Sequence, residues 1–245
     1  MWANNMVKGL IPKIIKAQLK DILHRDTFRS YSQYGEDAYL YAYFRGKTWE
    51  NEMPMFLPKN GFYVDVGAYS PTECSNTHAF YKQGWSGINI DATPGVMSAF
   101  DHIRKRDINL NVAVGCKSRD VTFYSWGFPS VFNTADAELA RQRALKLGKK
   151  PVEIRVKSFP LADLLEKYVP DNTKIDFLSV DVEGLDLEVL KSNNWDKYRP
   201  ELVLVEDYSG SLIELQDSEI ISYMTQKDYA AIAWLQPSII LRDMS

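Results

Sequence analysis

The sequence predicts an α/β fold in which a mostly parallel, Rossmann-like sheet carries helices on both faces and ends in an antiparallel edge. Short apolar segments alternate with segments of helical periodicity from residue 61 onward, a pattern typical of parallel sheets. Several of these apolar segments end in carboxylates. Two apolar runs near the C-terminus, 229–235 and 238–243, predict a hairpin that adds the antiparallel edge.

Composition restricts the class of protein. The 245 residues suffice for one large domain, and 45% hydrophobic with 25% charged residues is ordinary for a globular chain. A net charge of −3 argues against nucleic acid as a partner. Cys74 and Cys116 are too few for a disulfide framework. Since neither a signal peptide nor an apolar run of 18 residues is found, we expect a cytoplasmic protein.

The first thirty residues differ from the rest. Apolar side chains recur at helical spacing over residues 6–25, with lysines on the other side, which predicts a basic amphipathic helix over 1–30 before a main domain at 31–245. Such a helix can lie on an anionic membrane, but packing on its own domain or on a second subunit is favoured because the apolar face lacks Trp and Phe. A homo-oligomer is left open.

The remaining elements follow in order. A helix begins in the polar cluster at 32–37 and is followed by a loop at 45–60. Strands are predicted at 61–71, 86–94, 107–115, 120–126 (an antiparallel extension), 152–159, 174–184 and 201–208. Helices are predicted at 73–84, 95–105, 136–150, 161–169, 185–193 and 219–227. Residues 127–150 interrupt the alternation and are interpreted as an excursion on the substrate side.

Acidic residues stand where the predicted strands end. Asp65, Asp91, Asp181 and Glu206 each end an apolar strand. Ligands of doubly wound sheets bind outside the carboxyl ends of the strands. Because buried carboxylates are costly without partners, the pattern predicts a cleft that binds hydrogen-bond donors or a cation.

The first two strand ends predict a nucleoside site. Gly67 permits close approach of the backbone to a ligand, and Asp91 is placed to accept hydrogen bonds from ribose hydroxyls. The chain has neither GxGxxG nor GxxxxGK[ST], which disfavours nicotinamide dinucleotides and nucleoside triphosphates. A cofactor with adenosine and no phosphate, S-adenosylmethionine, therefore fits best.

Six collinear segments carry a resemblance to a known family. They are SQYGED at 32–37, FYVDVGAYSP at 62–71, SNT at 75–77, GWSGINIDATP at 84–94, DINLNVAVG at 107–115 and IDFLSVDVEGLDLEVL at 175–190. Over roughly residues 30–210 the chain resembles the FkbM-type S-adenosylmethionine-dependent O-methyltransferases. The resemblance implies a class I methyltransferase sheet and a sugar hydroxyl as acceptor, on a nucleotide-activated or polysaccharide-linked sugar. Where close relatives often carry two histidines, this chain has Tyr69 and Ser70.

The resemblance also implies a set of cofactor-binding residues. They are Gln33, Glu36, Asp65, Gly67, Asp91, Ala92, Asn111, Ala113 and Asp181. Gln33 and Glu36 are equally well explained as helix-capping residues, and Asn111 as a turn residue at a strand end.

The acceptor hydroxyl must lose its proton when it is methylated, and the sequence leaves two ways to remove that proton. Asp181, Glu206 and Asp207 follow adjacent strands and suit a divalent ion such as Mg, Mn or Fe(II), although they can equally bind substrate or pair with Lys and Arg. Alternatively, a side chain acts as general base. The candidate catalytic residues are Asp181, Tyr69 and His78, the last being more typical of a structural histidine.

The excursion at 127–150 offers groups for an activated sugar. Ser130, Asn133 and Thr134 can bind hydroxyls, and basic residues can meet a diphosphate: Arg141, Arg143, Lys146, Lys149 and Lys150. A solvated basic helix face is the alternative for these cations. As a whole, the chain is predicted to be an O-methyltransferase, the alternative being a cofactor-binding scaffold of a glycan-assembly complex without turnover.

Overall fold

The computed structural model describes residues 28–46, 57–58 and 60–245. The predicted amphipathic helix at 6–25 lies outside the described residues, as does most of the predicted loop at 45–60. In the part that is described, no helix is long and apolar enough to cross a membrane.

Helices and strands alternate along the chain. The helices are α1 (Glu36–Gly46), α2 (His78–Lys82), α3 (Met97–Ile103), α4 (Ala137–Leu147), α5 (Leu161–Tyr168), α6 (Asp186–Lys191), α7 (Leu212–Gln216) and α8 (Glu219–Thr225). The strands are β1 (Phe62–Val66), β2 (Ser86–Ile90), β3 (Ile108–Leu110), β4 (Ala113–Val114), β5 (Arg119–Ser125), β6 (Val152–Phe159), β7 (Phe177–Val180), β8 (Leu202–Glu206), β9 (Tyr229–Leu235) and β10 (Ser238–Asp243).

Seven strands form the main sheet, in the order β3-β2-β1-β7-β8-β10-β9. The first five are parallel, whereas β10 runs antiparallel to both β8 and β9. The Rossmann-like sheet with an antiparallel C-terminal edge is thus confirmed. Chain order reverses direction at β1, so the carboxyl ends of β1, β2, β7 and β8 surround the crevice where such sheets bind ligands.

The central strands are apolar because both of their faces are covered. On one face, Val64 and Leu178 pack in a core with side chains from α5, α6 and α8. On the other, Tyr63 and Phe177 pack with Phe44 of α1 and with aromatic residues around α2. The prediction of helices on both faces is confirmed, and these two cores hold the central strand ends in place.

The predicted strand at 107–115 is wrong as a single element. Its first half, β3, pairs with β2, whereas β4 leaves the main sheet and joins β6 and β5 in a separate three-stranded sheet. Asn111 stands at the break, where its amide donates 2.8 Å hydrogen bonds to the carbonyls of Asp91 and Thr93 and accepts one from the Gly95 N–H. These bonds replace strand pairing, so the chain changes sheets there.

Residues 127–150 form a loop and a capped helix over the carboxyl edge of the sheet. The Asp136 side chain caps α4 by accepting a 2.7 Å hydrogen bond from the Leu139 N–H. Gly148 ends the helix in the left-handed conformation. The predicted helix at 136–150 therefore exists, three residues shorter at its C-terminal end because it stops before Gly148, Lys149 and Lys150.

Candidate functional site

A cleft of about 510 Å³ lies at the carboxyl ends of β1, β2, β7 and β8, beneath α4 and the loop before it. That volume is within the range of about 300–1,000 Å³ typical of small-molecule sites. Of the predicted site residues, Gln33, Gly67, Tyr69, Asp91, Ala92, Ala113, Asp181 and Glu206 line this cleft. Asp65, Glu36, His78, Asn111 and Asp207 are not part of its lining.

The loop after β1 lies directly against the end of β7. Gly67 has a φ of +85°, and a β-carbon there would lie 1.7 Å from the carbonyl oxygen of Asp181. Only glycine permits this approach. The next residue but one, Tyr69, also has a positive φ, +50°, which is uncommon outside glycine and typical of functional loops.

Asp91 connects the loops after β1 and β2. One carboxylate oxygen accepts the Tyr69 N–H at 2.9 Å and the other the Thr93 N–H at 2.7 Å. Burial raises the pKa of Asp91, while these two backbone donors oppose that rise. Each carboxylate oxygen has a second lone pair, so the side chain can still accept hydrogen bonds from ligand hydroxyls in the cleft.

Asp65 and His78 lie behind the cleft rather than in its lining. Asp65 is 5% exposed, accepts a 2.9 Å hydrogen bond from the Thr77 hydroxyl, and has its pKa raised to about 6 by burial. The His78 ring packs edge-on against Tyr31, and burial followed by nearby cations lowers its pKa to about 4. A weakly basic imidazole that does not line the cleft favours the structural interpretation of His78 over the role of general base.

Glu36 is also displaced from its predicted place beside the cofactor. Its carboxylate accepts 2.8 Å hydrogen bonds from the Tyr34 N–H and from the Ser238 hydroxyl, joining the start of α1 to the β9–β10 hairpin. It borders a small cavity of about 20 Å³ behind Asp181 and Glu206. Glu36 thus links the segment before α1 to β10, whereas Gln33 lines the cleft.

Two carboxyls stand side by side in the cleft wall. Because Val180 pairs with Val205 across parallel β7 and β8, the residues that follow, Asp181 and Glu206, are neighbours. The Tyr208 hydroxyl donates a 2.6 Å hydrogen bond to Glu206 Oε2. Burial, and then repulsion from Glu206, raises the pKa of Asp181 well above its usual value. Burial also raises the pKa of Glu206, against the opposing effect of the Tyr208 hydrogen bond.

The predicted metal site of Asp181, Glu206 and Asp207 does not form. Asp207 accepts hydrogen bonds from the Ser209 N–H at 2.9 Å and from the hydroxyls of Ser209 and Ser218. Those bonds hold its carboxylate in the turn toward α8. Across residues 28–46, 57–58 and 60–245, no group of three or more His, Cys, Asp or Glu side chains is arranged to hold a metal ion.

The excursion closes the cleft through Glu183, a residue to which the sequence patterns assigned no role. Arg143 of α4 forms an ion pair with Glu183 and donates to the Phe132 carbonyl at 3.0 Å. Thr134 donates a 2.8 Å hydrogen bond to the Glu183 carbonyl. The only sequence signal for a role of Glu183 was its position in the acidic segment after β7. In the structure, its positive φ of +59° sets it apart.

The predicted cations of α4 separate into two groups. Arg143 and Lys146 line the cleft, together with Ser130 and Asn133 of the preceding loop. Arg141 instead pairs with Glu138 on the exposed side of the helix. The Asn133 amide is engaged with the backbone of Trp126 and Gly127. Tyr208, which the sequence reasoning also missed, follows Glu206 and Asp207 at the end of β8 and borders the cleft.

Comparison with known proteins gives a family and one similar structure. A crystal structure of methyltransferase FkbM from Methylobacillus flagellatus KT is similar at 12% sequence identity and a TM-score of 0.46, over 81% of this chain and 47% of that one. The chain thus spans about half the length of that protein. No curated protein matched the sequence. The family described as the methyltransferase FkbM domain matches residues 65–230. Since that match covers more than half of its residues and includes both the Gly67 loop and the carboxyl pair, the chain belongs to the FkbM methyltransferase family.

Proposed function

We propose that this protein is an S-adenosylmethionine-dependent O-methyltransferase whose acceptor is a sugar hydroxyl, on a sugar attached to a nucleotide or a polysaccharide. The observation that carries the proposal is the composition of this cleft. It joins a glycine loop and a buried aspartate after β1 and β2 to a pair of carboxyls after β7 and β8. Family membership supports methyl transfer, and the cleft chemistry supports the cofactor and the acceptor.

The residues at the β1 and β2 ends fit the cofactor. Asp91 is 8% exposed, is fixed by two backbone donors, and retains lone pairs for the two hydroxyls of a ribose. Val112, Ala113 and Phe123 supply an apolar wall suited to a purine. When bound, S-adenosylmethionine supplies an electrophilic methyl group on a sulfonium. Asp181 lines the same cleft. A carboxyl group there suits a positively charged sulfonium.

The residues beneath α4 fit a hydroxylated and anionic acceptor. The lining of the cleft includes Ser130, which carries a hydroxyl, and Lys146, which carries an ammonium group. No ion pair between described residues involves Lys146, which leaves its charge for a ligand phosphate. Both thiols of the chain, Cys74 and Cys116, are free, which supports a cytoplasmic location where activated sugars are used.

Asp91→Ala tests the cofactor site. The loss of a charged acceptor for two hydroxyls should weaken binding of S-adenosylmethionine by about 1–3 kcal/mol, which calorimetry measures. Asp171→Ala, which removes an exposed aspartate in the turn after α5, is the matched control and should bind normally. Equal affinities of the two variants would contradict the assignment of Asp91 to the ribose.

Mass spectrometry after incubation with a panel of nucleotide sugars and oligosaccharides tests the reaction. The expected product is heavier than its acceptor by about 14 mass units, because a methyl group replaces a hydrogen atom. One S-adenosylhomocysteine should be released per product. Cofactor binding without product from any acceptor would favour the alternative function, a scaffold without turnover.

A further inference from the structure

We propose that Asp181 and Glu206 form a carboxyl pair that shares one proton, and that Glu206 is the general base that takes the proton of the acceptor hydroxyl, positioned by Tyr208. This inference rests on the proposed function, because a hydroxyl acceptor is what requires a base. It adds a catalytic role for Glu206 and a positioning role for Tyr208.

The sheet itself brings the two carboxyls together. They occupy equivalent positions directly after paired residues of adjacent parallel strands, whose backbones lie about 4.8 Å apart. Both line the same cleft. The backbone of Asp181 is held by its N–H, which donates a 2.9 Å hydrogen bond to the Val66 carbonyl. The pairing is therefore a property of the central sheet rather than of a loop.

Neighbouring acids have a cation or several donors, whereas this pair has only the Tyr208 hydroxyl, on Glu206, among the hydrogen bonds and ion pairs between described residues. Arg143 pairs with Glu183, and serine donors satisfy Asp207. No ion pair between described residues includes Asp181 or Glu206. Asp181 Oδ1 is buried without a hydrogen-bond partner among the described residues. A buried carboxylate oxygen left in this state is costly, and a proton held between the two carboxyls lowers that cost.

The surrounding charges are mostly negative. The titratable and charged groups around the pair are Asp65 of β1, Glu183 after β7, Asp186 of α6, Tyr208 after β8, Glu36 of α1, Tyr69 and Cys74 of the β1–α2 loop, and Arg143 and Lys146 of α4. Burial together with this excess of acids raises the pKa of both members. The pair therefore loses its shared proton closer to neutral pH than an isolated carboxylic acid loses its proton. Once that proton has left, the pair is a stronger base than an isolated carboxylate.

Tyr208 determines which oxygen of Glu206 is free. Its hydroxyl donates to Oε2 at 2.6 Å, which leaves Oε1 for other partners. In the reaction, the acceptor hydroxyl oxygen forms the new C–O bond with a lone pair while the C–S bond breaks and its electrons stay on sulfur as a neutral thioether. The hydroxyl proton passes to Glu206, which returns it to solvent.

The first test needs no acceptor. A carboxyl whose pKa is raised on folding stabilises the protein below its unfolded pKa and loses that contribution as pH rises through the folded value. In thermal melts from pH 4.5 to 8.5, Glu206→Gln should therefore gain stability over the unmodified protein as pH rises. Glu166→Gln, the same change on the exposed face of α5, breaks an exposed ion pair with Lys197 and should differ from the unmodified protein only by a small offset that does not grow with pH. Melting curves of Glu206→Gln that follow those of Glu166→Gln at every pH would overturn the shared proton.

The second test measures turnover on whichever acceptor the panel identifies. Glu206→Gln should lower kcat by about 10²–10⁴-fold with an almost unchanged Kd for S-adenosylmethionine, whereas Glu166→Gln should behave normally. Since the Tyr208 hydrogen bond lowers the pKa of Glu206, Tyr208→Phe should shift the rising limb of the kcat–pH profile to higher pH. A structural role alone would not move that limb.

The outcomes separate the two proposals. An unmodified protein that binds cofactor and methylates nothing overturns the proposed function and the base with it, although the melts still decide whether the proton is shared. Full turnover by Glu206→Gln overturns the base and leaves the proposed function standing. Loss of activity on exhaustive chelation, restored by one divalent ion, would also overturn the base in favour of metal activation.

Discussion

Two groups of acids in this protein, one behind the cleft and one in its lining, differ in their partners. Asp65 and Asp107 lie behind the cleft around Arg104, a fully buried arginine. Asp181 and Glu206 line the cleft with no cation paired to either among the described residues. A buried acid beside a buried cation is a structural unit, whereas buried acids that face one another in a cleft are poised for proton chemistry. The partner, rather than the strand end, separates the two roles.

Arg104 organises the first group by using each of its guanidinium nitrogens. Nε donates to Asp107 at 2.9 Å, and the terminal nitrogens donate to the Tyr63 hydroxyl, the Thr77 hydroxyl and the Pro71 carbonyl at 2.8–3.0 Å. The Pro71 and Thr77 bonds hold both ends of the segment that leads from the β1 loop into α2. This network therefore supports the cofactor side of the cleft from behind.

Arg104→Met should have the largest effect on stability. It leaves Asp107 buried without its cation, and breaking a buried ion pair from one side costs about 3–5 kcal/mol. Urea unfolding measures the loss. Arg141→Met, which breaks the exposed pair with Glu138, should change stability far less, because solvent screens a pair at the surface. Similar losses in the two variants would show that the Arg104 network is not the structural unit described.

Gly67→Ala should have the next largest effect, at the junction of the two regions. A β-carbon there meets the Asp181 carbonyl oxygen at 1.7 Å, so the β1 loop and the end of β7 must move apart. Gly84→Ala is the matched control, because Gly84 has a similar positive φ of +98° but open space around its α-carbon. We expect Gly67→Ala to lose about 1–3 kcal/mol more than Gly84→Ala in urea unfolding and to lose cofactor affinity. Equal losses would mean that backbone conformation alone, and not the contact with β7, requires glycine.

Asp65→Asn should have a smaller effect that depends on pH. Burial raises the folded-state pKa of Asp65 to about 6, above the unfolded value of about 3.9, so its contribution is present below pH 4 and is lost as pH rises through 6. The variant should match the unmodified protein near pH 4 and exceed it in stability by about 1–3 kcal/mol at pH 8. A constant difference across this range in urea unfolding would contradict the raised pKa. The kcat–pH profile should keep its shape, in contrast to that of Glu206→Gln.

The sequence by itself determined the sheet, most helices and the edge at which the cleft forms. A continuous apolar run such as 202–205 can be stable only when both faces are covered, and glycine at position 67 marks a conformation that other residues avoid. Asp91, which the pattern placed at the end of the second strand, lines the cleft because its place depends on that one strand. These are local properties of the chain, and they can be predicted from the periodicity of apolar residues and from the residues at strand ends.

Only the tertiary structure decided which acids act together. Asp181 and Glu206 meet because β7 pairs with β8, whereas Asp207, one residue further, is turned toward Ser218. Glu36 bonds to Ser238 from the other end of the chain, and His78 packs on Tyr31. The physical reason is that the charge state of a buried carboxyl depends on donors and acids within a few ångströms, and those come from distant parts of the chain that residue spacing does not reveal.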